Sequence, residues 1–196
     1  MMPIYREIRL FDDTEISLGF IWQKLYERLH KALVPLKDAD ESVPVGFTFP
    51  GYGGHFPLGD RLRIFAPDLA TFENLDLENA LVNLTDYLHL SELRATPDKH
   101  GYVIFRRKQF KTNPFRQARR YAKRHGLSFE EALKRYEAFD VKEILDKNGL
   151  PFFNYYSTST GQKTKIFIEK SESKSHKEGS FNTFGLSKEG ATLPNF

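Results

Sequence analysis

The 196-residue sequence contains no cysteine, and this absence excludes several kinds of chemistry. Disulfide bonds, thiolate zinc sites and a cysteine nucleophile all require the missing side chain. The sequence also has no run approaching the roughly 18 apolar residues of a membrane-spanning helix. Its first residues lack the apolar segment of a signal peptide. We therefore expect a soluble protein of cytoplasmic location.

Metal-binding signatures are missing as well, although the sequence contains six histidines. The histidines are scattered, and no two have the HxH or HExxH spacing of a metal site. The glycine-rich segment 51–59 lacks the GK[ST] ending of a phosphate-binding loop and lies between two predicted strands, which favours a hairpin loop. We therefore expect no metal and no other cofactor.

Acidic residues are absent from positions 99–129, and basic residues are concentrated there. Nine lysines and arginines lie within positions 106–124, although the formal net charge of the whole chain is only +3. Asn113 and Pro114 suit the N-cap and the first position of a helix. The cations that recur at helical spacing after them are Arg116, Arg119, Arg120, Lys123 and Arg124.

This cationic stripe predicts a binding surface for a polyanion. No glutamate lies one turn away to relieve the repulsion between like charges, as a merely solvated helix face would require. Nucleic acid is the favoured partner, and an acidic protein is the alternative. The opposite side of the helix, with Phe115, Ala118 and Ala122, can seat it on the protein but is too small for membrane insertion.

Hydrophobic periodicity predicts an α+β fold whose first 90 or so residues follow the order βαββαβ, the ferredoxin-like arrangement also used by RNA-recognition modules. A boundary near residue 97 would separate this domain, 1–97, from a smaller α+β domain, 98–196, that carries the basic helix. The strands are predicted over 4–10, 43–50, 61–65, 86–90, 102–107, 151–157, 164–169 and 180–184. The helices are predicted over 18–34, 67–84, 114–125 and 128–139, and 171–179 is expected to be mobile.

Metal-free cleavage of RNA needs a base for the 2′-hydroxyl, donors for the phosphoryl charge and in-line positioning. A histidine that titrates near neutrality is the natural base. From the residues alone, however, His30 on its amphipathic helix is more simply a structural or solvent-facing residue. Ser157, Ser159 and Thr160 are more simply turn residues. The residues by themselves indicate only a soluble α+β protein that binds nucleic acid.

An ordered set of segments resembles the subtype I-F CRISPR endoribonuclease family. The segments are LYERLHKAL (25–33), VGFTFPG (45–51), GDRLRIF (59–65), RKQFKTNPFRQARRYAKRH (107–125), STSTGQ (157–162) and FGLSKEG (184–190). The resemblance implies a metal-independent endoribonuclease that binds and cleaves precursor CRISPR RNA at the base of the repeat stem-loop. Attack of the 2′-hydroxyl would leave a 2′,3′-cyclic or 3′ phosphate, and the enzyme would stay bound to its product.

The same resemblance implies roles for individual residues. His30 matches the catalytic histidine, and Ser157 matches the serine that holds the attacking 2′-hydroxyl, with Ser159 and Phe184 as supporting residues. The residues that match the base-reading pair near the bottom of the stem are Arg107 and Gln109. The residues implied to contact phosphates in the major groove are Lys111, Arg116, Arg119, Arg120, Lys123 and Arg124. The implied partners are the repeat RNA hairpin and other subunits of the type I-F surveillance complex, with no membrane contact and a monomer when free.

Three positions depart from the family pattern. Phe184 stands where the family has a tyrosine that helps to arrange the histidine and the nucleophile. A non-cleaving RNA-hairpin-binding subunit of the surveillance complex is therefore the alternative function. Thr164 stands where a phenylalanine stacks on the terminal base pair, and either Tyr155 or Tyr156 could replace that ring. Lys123 replaces an arginine and keeps the charge without the bidentate geometry.

Overall fold

Two antiparallel sheets and five α-helices make up the part of the chain that the computed structural model describes, residues 2–12, 14–110, 113–137, 149–157 and 161–196. The chain divides into two compact units. The larger unit comprises Met1–Lys108 and Pro151–Phe196, and it contains both sheets. The smaller unit comprises Gln109–Leu150. The mixture of helices and antiparallel sheets confirms the predicted α+β class.

The first sheet has the predicted βαββαβ connectivity. Its elements are β1 (Ile4–Leu10), α1 (Leu18–Leu33), β2 (Gly46–Thr48), β3 (Arg61–Ala66), α2 (Leu69–Leu75), α3 (Leu77–Leu81) and β4 (Leu88–Leu90). The strands pair antiparallel in the order β2-β3-β1-β4, and a short β5 (Arg94–Ala95) also pairs with β1. The predicted helix over 67–84 is divided at Asp76, which adopts a left-handed conformation (φ 43°) and caps α3. An α-helix cannot continue through that conformation.

The helix α1 buries one side in the core of the larger unit because its apolar residues recur at helical spacing. Ser17 caps the helix by accepting a hydrogen bond from the backbone N–H of Phe20. The buried stripe comprises Ile21, Trp22, Leu25, Tyr26, Leu29 and Leu33. Tyr26 stacks on Phe153 of the second sheet, with ring centroids 3.5 Å apart. Tyr26 also meets Phe47 of β2 edge-on, with ring centroids 6.2 Å apart, so this stripe packs against both sheets of the larger unit.

The second sheet comprises four strands. They are β6 (Gly101–Lys108), β7 (Phe152–Tyr156), β8 (Lys163–Ser173) and β9 (Leu193–Asn195), paired antiparallel in the order β7-β8-β6-β9. Two expectations for this region were wrong. Ser173, expected within a mobile segment, lies in β8 opposite Tyr102. The predicted strand over 180–184 is instead a turn held by the Asn182 side chain, which accepts the backbone N–H groups of Phe184 and Leu186.

The smaller unit contains α4 (Pro114–His125) and α5 (Phe129–Lys134). Ala118 and Ala122 of α4 pack with Ala132 of α5 in a small cluster. The predicted capping box is present, because the Ser128 and Glu131 side chains each accept the other residue's backbone N–H. The helix it begins ends at Lys134, before the predicted end near residue 139, which lies outside the described residues.

Within the described residues, no helix is long and apolar enough to cross a membrane. Each sheet lies on its own side of the predicted domain boundary near residue 97. The compact units are divided differently, because both sheets belong to the larger unit. The boundary between domains 1–97 and 98–196 therefore stays a prediction.

Candidate active site and nucleic-acid interface

His30 lies on the flank of α1, half-buried, one turn after Tyr26. Its Nδ1 is 3.0 Å from the carbonyl oxygen of Thr183. A carbonyl oxygen only accepts hydrogen bonds, so this contact places the proton of the neutral imidazole on Nδ1. The other nitrogen, Nε2, is then left unprotonated and able to accept a proton from a substrate.

Two aromatic rings hold the imidazole of His30 in place. Phe184 stacks on it with centroids 4.6 Å apart and an interplanar angle of 17°. Tyr155 of β7 meets it edge-on at 5.1 Å and also meets Phe184 edge-on at 5.1 Å. We call His30, Tyr155 and Phe184 the three-ring cluster. Because each ring touches both others, the orientation of the imidazole is fixed by packing as well as by the Thr183 carbonyl.

The surroundings of His30 favour its neutral form. Burial is the largest cause that lowers its pKa, and the positive charge of Lys37 lowers the pKa further. The hydrogen bond to Thr183 acts in the opposite direction and raises the pKa. The net result is a pKa below the ordinary value of about 6.5. At neutral pH the imidazole is therefore able to act as a base.

Ser157 follows the last residue of β7, two positions after Tyr155. Its backbone N–H donates to the Gln162 carbonyl oxygen at 2.9 Å, and its own carbonyl accepts the N–H of Gly161 at 2.8 Å. Gly161 has a φ of 66°, a conformation that favours glycine. These bonds join the ends of β7 and β8 and fix the backbone of Ser157, two residues along the chain from Tyr155. Ser159 lies outside the described residues.

Arg107 on β6 also lies beside the three-ring cluster. Its guanidinium carbon is 5.7 Å from the ring centroid of Phe184, which places a cation next to the aromatic side of the site. Burial lowers the pKa of Arg107, but a guanidinium remains charged in proteins. Gln109, predicted as its partner in base recognition, is exposed and lies in the smaller unit.

The register of the β7–β8 hairpin separates the two tyrosines that were predicted as alternatives for stacking. Tyr155 lies directly opposite Thr164, so their side chains occupy the same side of the sheet. Tyr156 lies opposite Lys163 and faces the other side. Only Tyr155 is thus on the side where the resemblance implies a stacking ring. Burial is the larger cause that raises the pKa of Tyr155, and the negative charge of Glu27 raises it further, so the hydroxyl stays protonated at neutral pH.

The predicted basic helix is confirmed as α4. The Asn113 side chain accepts the backbone N–H of Arg116 at 2.9 Å, and Gly126 ends the helix in a left-handed conformation. Ala118 and Ala122 are buried as predicted, whereas Phe115 is 56% exposed and does not seat the helix. The five predicted cations are all exposed, and they are Arg116, Arg119, Arg120, Lys123 and Arg124.

Within the described residues, the charge of α4 has no acidic partner. Among the described residues, no acidic side chain forms an ion pair with any of the five exposed cations. Arg119 lies over the ring of Phe129, with its guanidinium carbon 5.7 Å from the centroid. The arrangement suits a string of phosphate groups, which would neutralise several cations along one face. Lys111 lies outside the described residues.

Sequence reasoning missed two residues that position the site. Asn182 forms the turn that brings Thr183 and Phe184 to His30, with its side-chain oxygen 2.8 Å from the Phe184 nitrogen. Gly185 in the same turn has a φ of 68°, and a Cβ there would lie 2.3 Å from the Phe47 ring. An asparagine three residues before a glycine is a turn signal, and it could have replaced the predicted strand.

A metal-binding arrangement is absent from the part of the chain that the structure describes. No group of three or more histidine, aspartate or glutamate side chains there is placed to hold a metal ion. The site instead offers a neutral imidazole, a partly buried guanidinium and a tyrosine hydroxyl. These groups suit proton transfer beside an anionic substrate.

Comparisons with known proteins identify the family of this chain. The family model described as CRISPR-associated protein (Cas_Csy4) matches residues 5–196. The CRISPR-associated endonuclease Cas6/Csy4 of Pseudomonas aeruginosa (strain UCBPP-PA14) is 37% identical over 191 residues, which cover 96% of this chain and 97% of that protein. The protein of the same name from Escherichia coli (strain UTI89 / UPEC) is 32% identical over 196 residues and covers both chains completely.

Structural similarity is weaker. A solved RAMP protein, described as binding different RNA substrates, aligns over 99% of both chains at 12% identity, and its TM-score of 0.37 is too low to support a conclusion. The family match and the two full-length relatives do not depend on that alignment. They show that this chain belongs to the Cas_Csy4 family of CRISPR-associated proteins.

Proposed function

We propose that this chain is a metal-independent endoribonuclease that binds and cleaves precursor CRISPR RNA at the base of the repeat stem-loop. Family membership and the two full-length relatives, both named as endonucleases, support the activity. The observation that carries the proposal is the position of His30. Its Nδ1 is 3.0 Å from the Thr183 carbonyl oxygen, and its pKa is lowered by burial, so Nε2 is a base at neutral pH.

The reaction follows from that base. Nε2 of His30 takes the proton of the 2′-hydroxyl while the 2′-oxygen attacks the adjacent phosphorus. The bond from phosphorus to the 5′-oxygen breaks, and the leaving oxygen takes a proton from water. The products are a 2′,3′-cyclic phosphate, which can open to a 3′ phosphate, and a 5′-hydroxyl. Ser157 would orient the 2′-hydroxyl, with Ser159 and Phe184 in support.

Recognition is divided between base edges and phosphates. Arg107 and Gln109 would read bases near the bottom of the stem, because arginine pairs well with guanine and glutamine with adenine. The residues proposed to contact phosphates are Lys111, Arg116, Arg119, Arg120, Lys123 and Arg124. The major groove of an A-form helix is deep and narrow. The basic helix is therefore expected to contact mainly phosphates. It would enter the groove where a short stem has an open end or a loop.

Several finer statements belong to the same proposal. The protein would keep its cleaved RNA and join other subunits of the type I-F surveillance complex, so turnover would be close to single. It would be a monomer when free and would act in the cytoplasm. The stacking ring implied by the family would be Tyr155, which shares its side of the sheet with Thr164.

A non-cleaving RNA-hairpin-binding subunit of the surveillance complex is the second candidate. One observation favours it: Phe184 stacks on His30 at 4.6 Å but carries no hydroxyl. This candidate predicts tight binding of the hairpin with an intact RNA backbone after long incubation. Cleavage that appears only in Phe184→Tyr protein would favour it over the endoribonuclease.

Mass spectrometry of the RNA ends tests the proposed chemistry. The protein is incubated with the repeat hairpin of its host's own CRISPR array, and the two fragments are weighed. We expect a 2′,3′-cyclic or 3′ phosphate on one fragment and a 5′-hydroxyl on the other. A 3′-hydroxyl end would contradict attack by the 2′-hydroxyl.

A further inference from the structure

The second sheet has an outward side that the proposed cleavage site does not use. Alternation along β7 buries Phe153 and turns Phe152 and Tyr156 outward, where they are 37% and 39% exposed. Lys163 and Lys165 of β8 are also exposed, and they lie opposite outward-facing residues of β7. We call Phe152, Tyr156, Lys163 and Lys165 the outer aromatic–lysine face.

Aromatic rings and lysines are interleaved on this face. The Nζ of Lys165 is 4.3 Å from the ring centroid of Phe152, and Lys163 lies directly opposite Tyr156. The two rings are four residues apart along β7, which corresponds to about 13 Å at the usual rise of a strand. Phe152 also packs on Phe167, with centroids 5.3 Å apart, so its ring is held in place before any partner binds.

Among the residues that the structure describes, no acid neutralises the positive charge of the face. Glu169 shares the outward side of β8, but it is already paired with Arg106 and with Lys108. Hydrogen bonds from Lys108 first and then from Arg106 lower the pKa of Glu169, and the positive charges of both residues lower it further. Within the described ranges, no carboxylate lies within ion-pairing distance of Lys163 or Lys165.

We propose that the outer aromatic–lysine face binds single-stranded RNA that flanks the repeat hairpin, an inference that rests on the function proposed above. Unpaired bases stack on aromatic rings while cations contact the phosphates between them, and four-stranded sheets of RNA-recognition modules bind RNA in this way. The paired bases of the stem cannot use the rings, because they are already stacked on one another. An acidic protein would pair with the lysines but would leave the stacking capacity of Tyr156 unused.

Binding measurements with three RNAs test this inference. One RNA is the bare repeat hairpin, and the other two carry a short oligouridine extension on the 5′ side or on the 3′ side. A 2′-deoxy nucleotide at the attacking position prevents cleavage in all three. We expect the native protein to bind one extended RNA at least about tenfold more tightly than the bare hairpin, since stacking of one base corresponds to roughly that factor.

Variants then test whether the tighter binding of the extended RNA depends on the outer aromatic–lysine face. In Tyr156→Ala/Lys163→Ala/Lys165→Ala protein the advantage should disappear, while affinity for the bare hairpin stays unchanged. Tyr156→Phe should retain the advantage, because the ring and not the hydroxyl stacks. Lys99→Ala/Lys174→Ala removes two exposed lysines elsewhere in the larger unit and should also retain it.

The outcomes separate this inference from the proposed function. An extended RNA that binds no better than the hairpin, or a triple variant that keeps the advantage, would overturn the inference alone. An equal loss in the Lys99→Ala/Lys174→Ala control would mean that general charge attraction causes the advantage, and it would overturn the inference too. If the native protein binds neither RNA, the proposed function fails and this inference fails with it.

Discussion

The helices α1 and α4 each repeat one type of side chain at helical spacing, but that type is apolar in α1 and cationic in α4. In α1 the residues that recur at helical spacing are apolar and buried, and Leu25 and Leu29 are fully inaccessible to solvent. In α4 the residues that recur at the same spacing are cations, and all are exposed, while Ala118 and Ala122 alone are buried. Spacing therefore identifies which residues share a side of a helix, and side-chain type decides whether that side meets the core or a partner.

The two stripes also differ in what they contribute, since that of α1 serves folding stability and that of α4 serves binding. A fully buried stripe stabilises the fold through apolar area removed from water, so α1 supports the larger unit and carries His30 as one residue on its flank. The stripe of α4 contributes repulsion between like charges instead. That repulsion is relieved when phosphates bind, so the residues of α4 are expected to matter for RNA affinity and little for folding.

Substitutions in the two stripes should give the largest difference in folding stability. Leu25→Ala removes a fully buried side chain and should lower the free energy of unfolding by about 2–5 kcal/mol. Arg120→Ala removes an exposed cation from a repelling row and should leave that free energy almost unchanged. Urea denaturation followed by circular dichroism measures both, and Lys31→Ala on the exposed side of α1 is the matched surface control. A comparable loss in Arg120→Ala protein would contradict the distinction.

The salt dependence of hairpin binding, unlike the free energy of unfolding, should change when cations of α4 are removed. Arg119→Ala/Arg120→Ala should weaken binding of the hairpin and reduce the slope of log affinity against log salt by about one unit for each phosphate that the variant no longer neutralises. The matched control is Arg94→Ala/Lys99→Ala, which removes two exposed cations from the larger unit and should leave the slope unchanged. An unchanged slope in the α4 variant would mean that these arginines do not contact phosphates.

Much of the fold was predictable because its signals are local. The stripe of α1, the Asn113–Pro114 start of α4 and its end at Gly126 each depend on residues within a few positions of one another. Strand β9 was missed because it is three residues long, contains Pro194 and pairs with β6 some 90 residues earlier in the chain. Proline is tolerated there because β9 lies at the edge of the sheet.

The site was less predictable because it is assembled from distant segments. His30, Tyr155 and Phe184 meet through tertiary packing, and no spacing in the sequence joins them. The resemblance to a known family pointed to His30 and Phe184, but it did not indicate that Asn182 forms the turn behind them. The outward direction of Tyr156 likewise depends on the register of β7 with β8.

The smallest effect expected is a shift in the pH profile of cleavage. The neutral imidazole of His30 is the base, so the rate should fall as pH drops through its pKa, with the midpoint below about 6.5 because burial lowers that pKa. Lys37→Ala removes a positive charge that also lowers the pKa. The pKa should then rise, and the midpoint should move to higher pH. Single-turnover rates across pH measure the shift, and Lys174→Ala should not change it.

The most direct measurement is cleavage of the repeat hairpin in excess EDTA by native and His30→Ala protein. The native protein should cleave, and the variant should bind the hairpin with similar affinity but cleave about 10²–10⁴-fold more slowly, the usual contribution of a general base. His89→Ala, which alters an exposed histidine on β4, should behave as native. Equal cleavage by native and His30→Ala protein, or no cleavage by the native protein without a divalent metal, would contradict a metal-free reaction with His30 as its base.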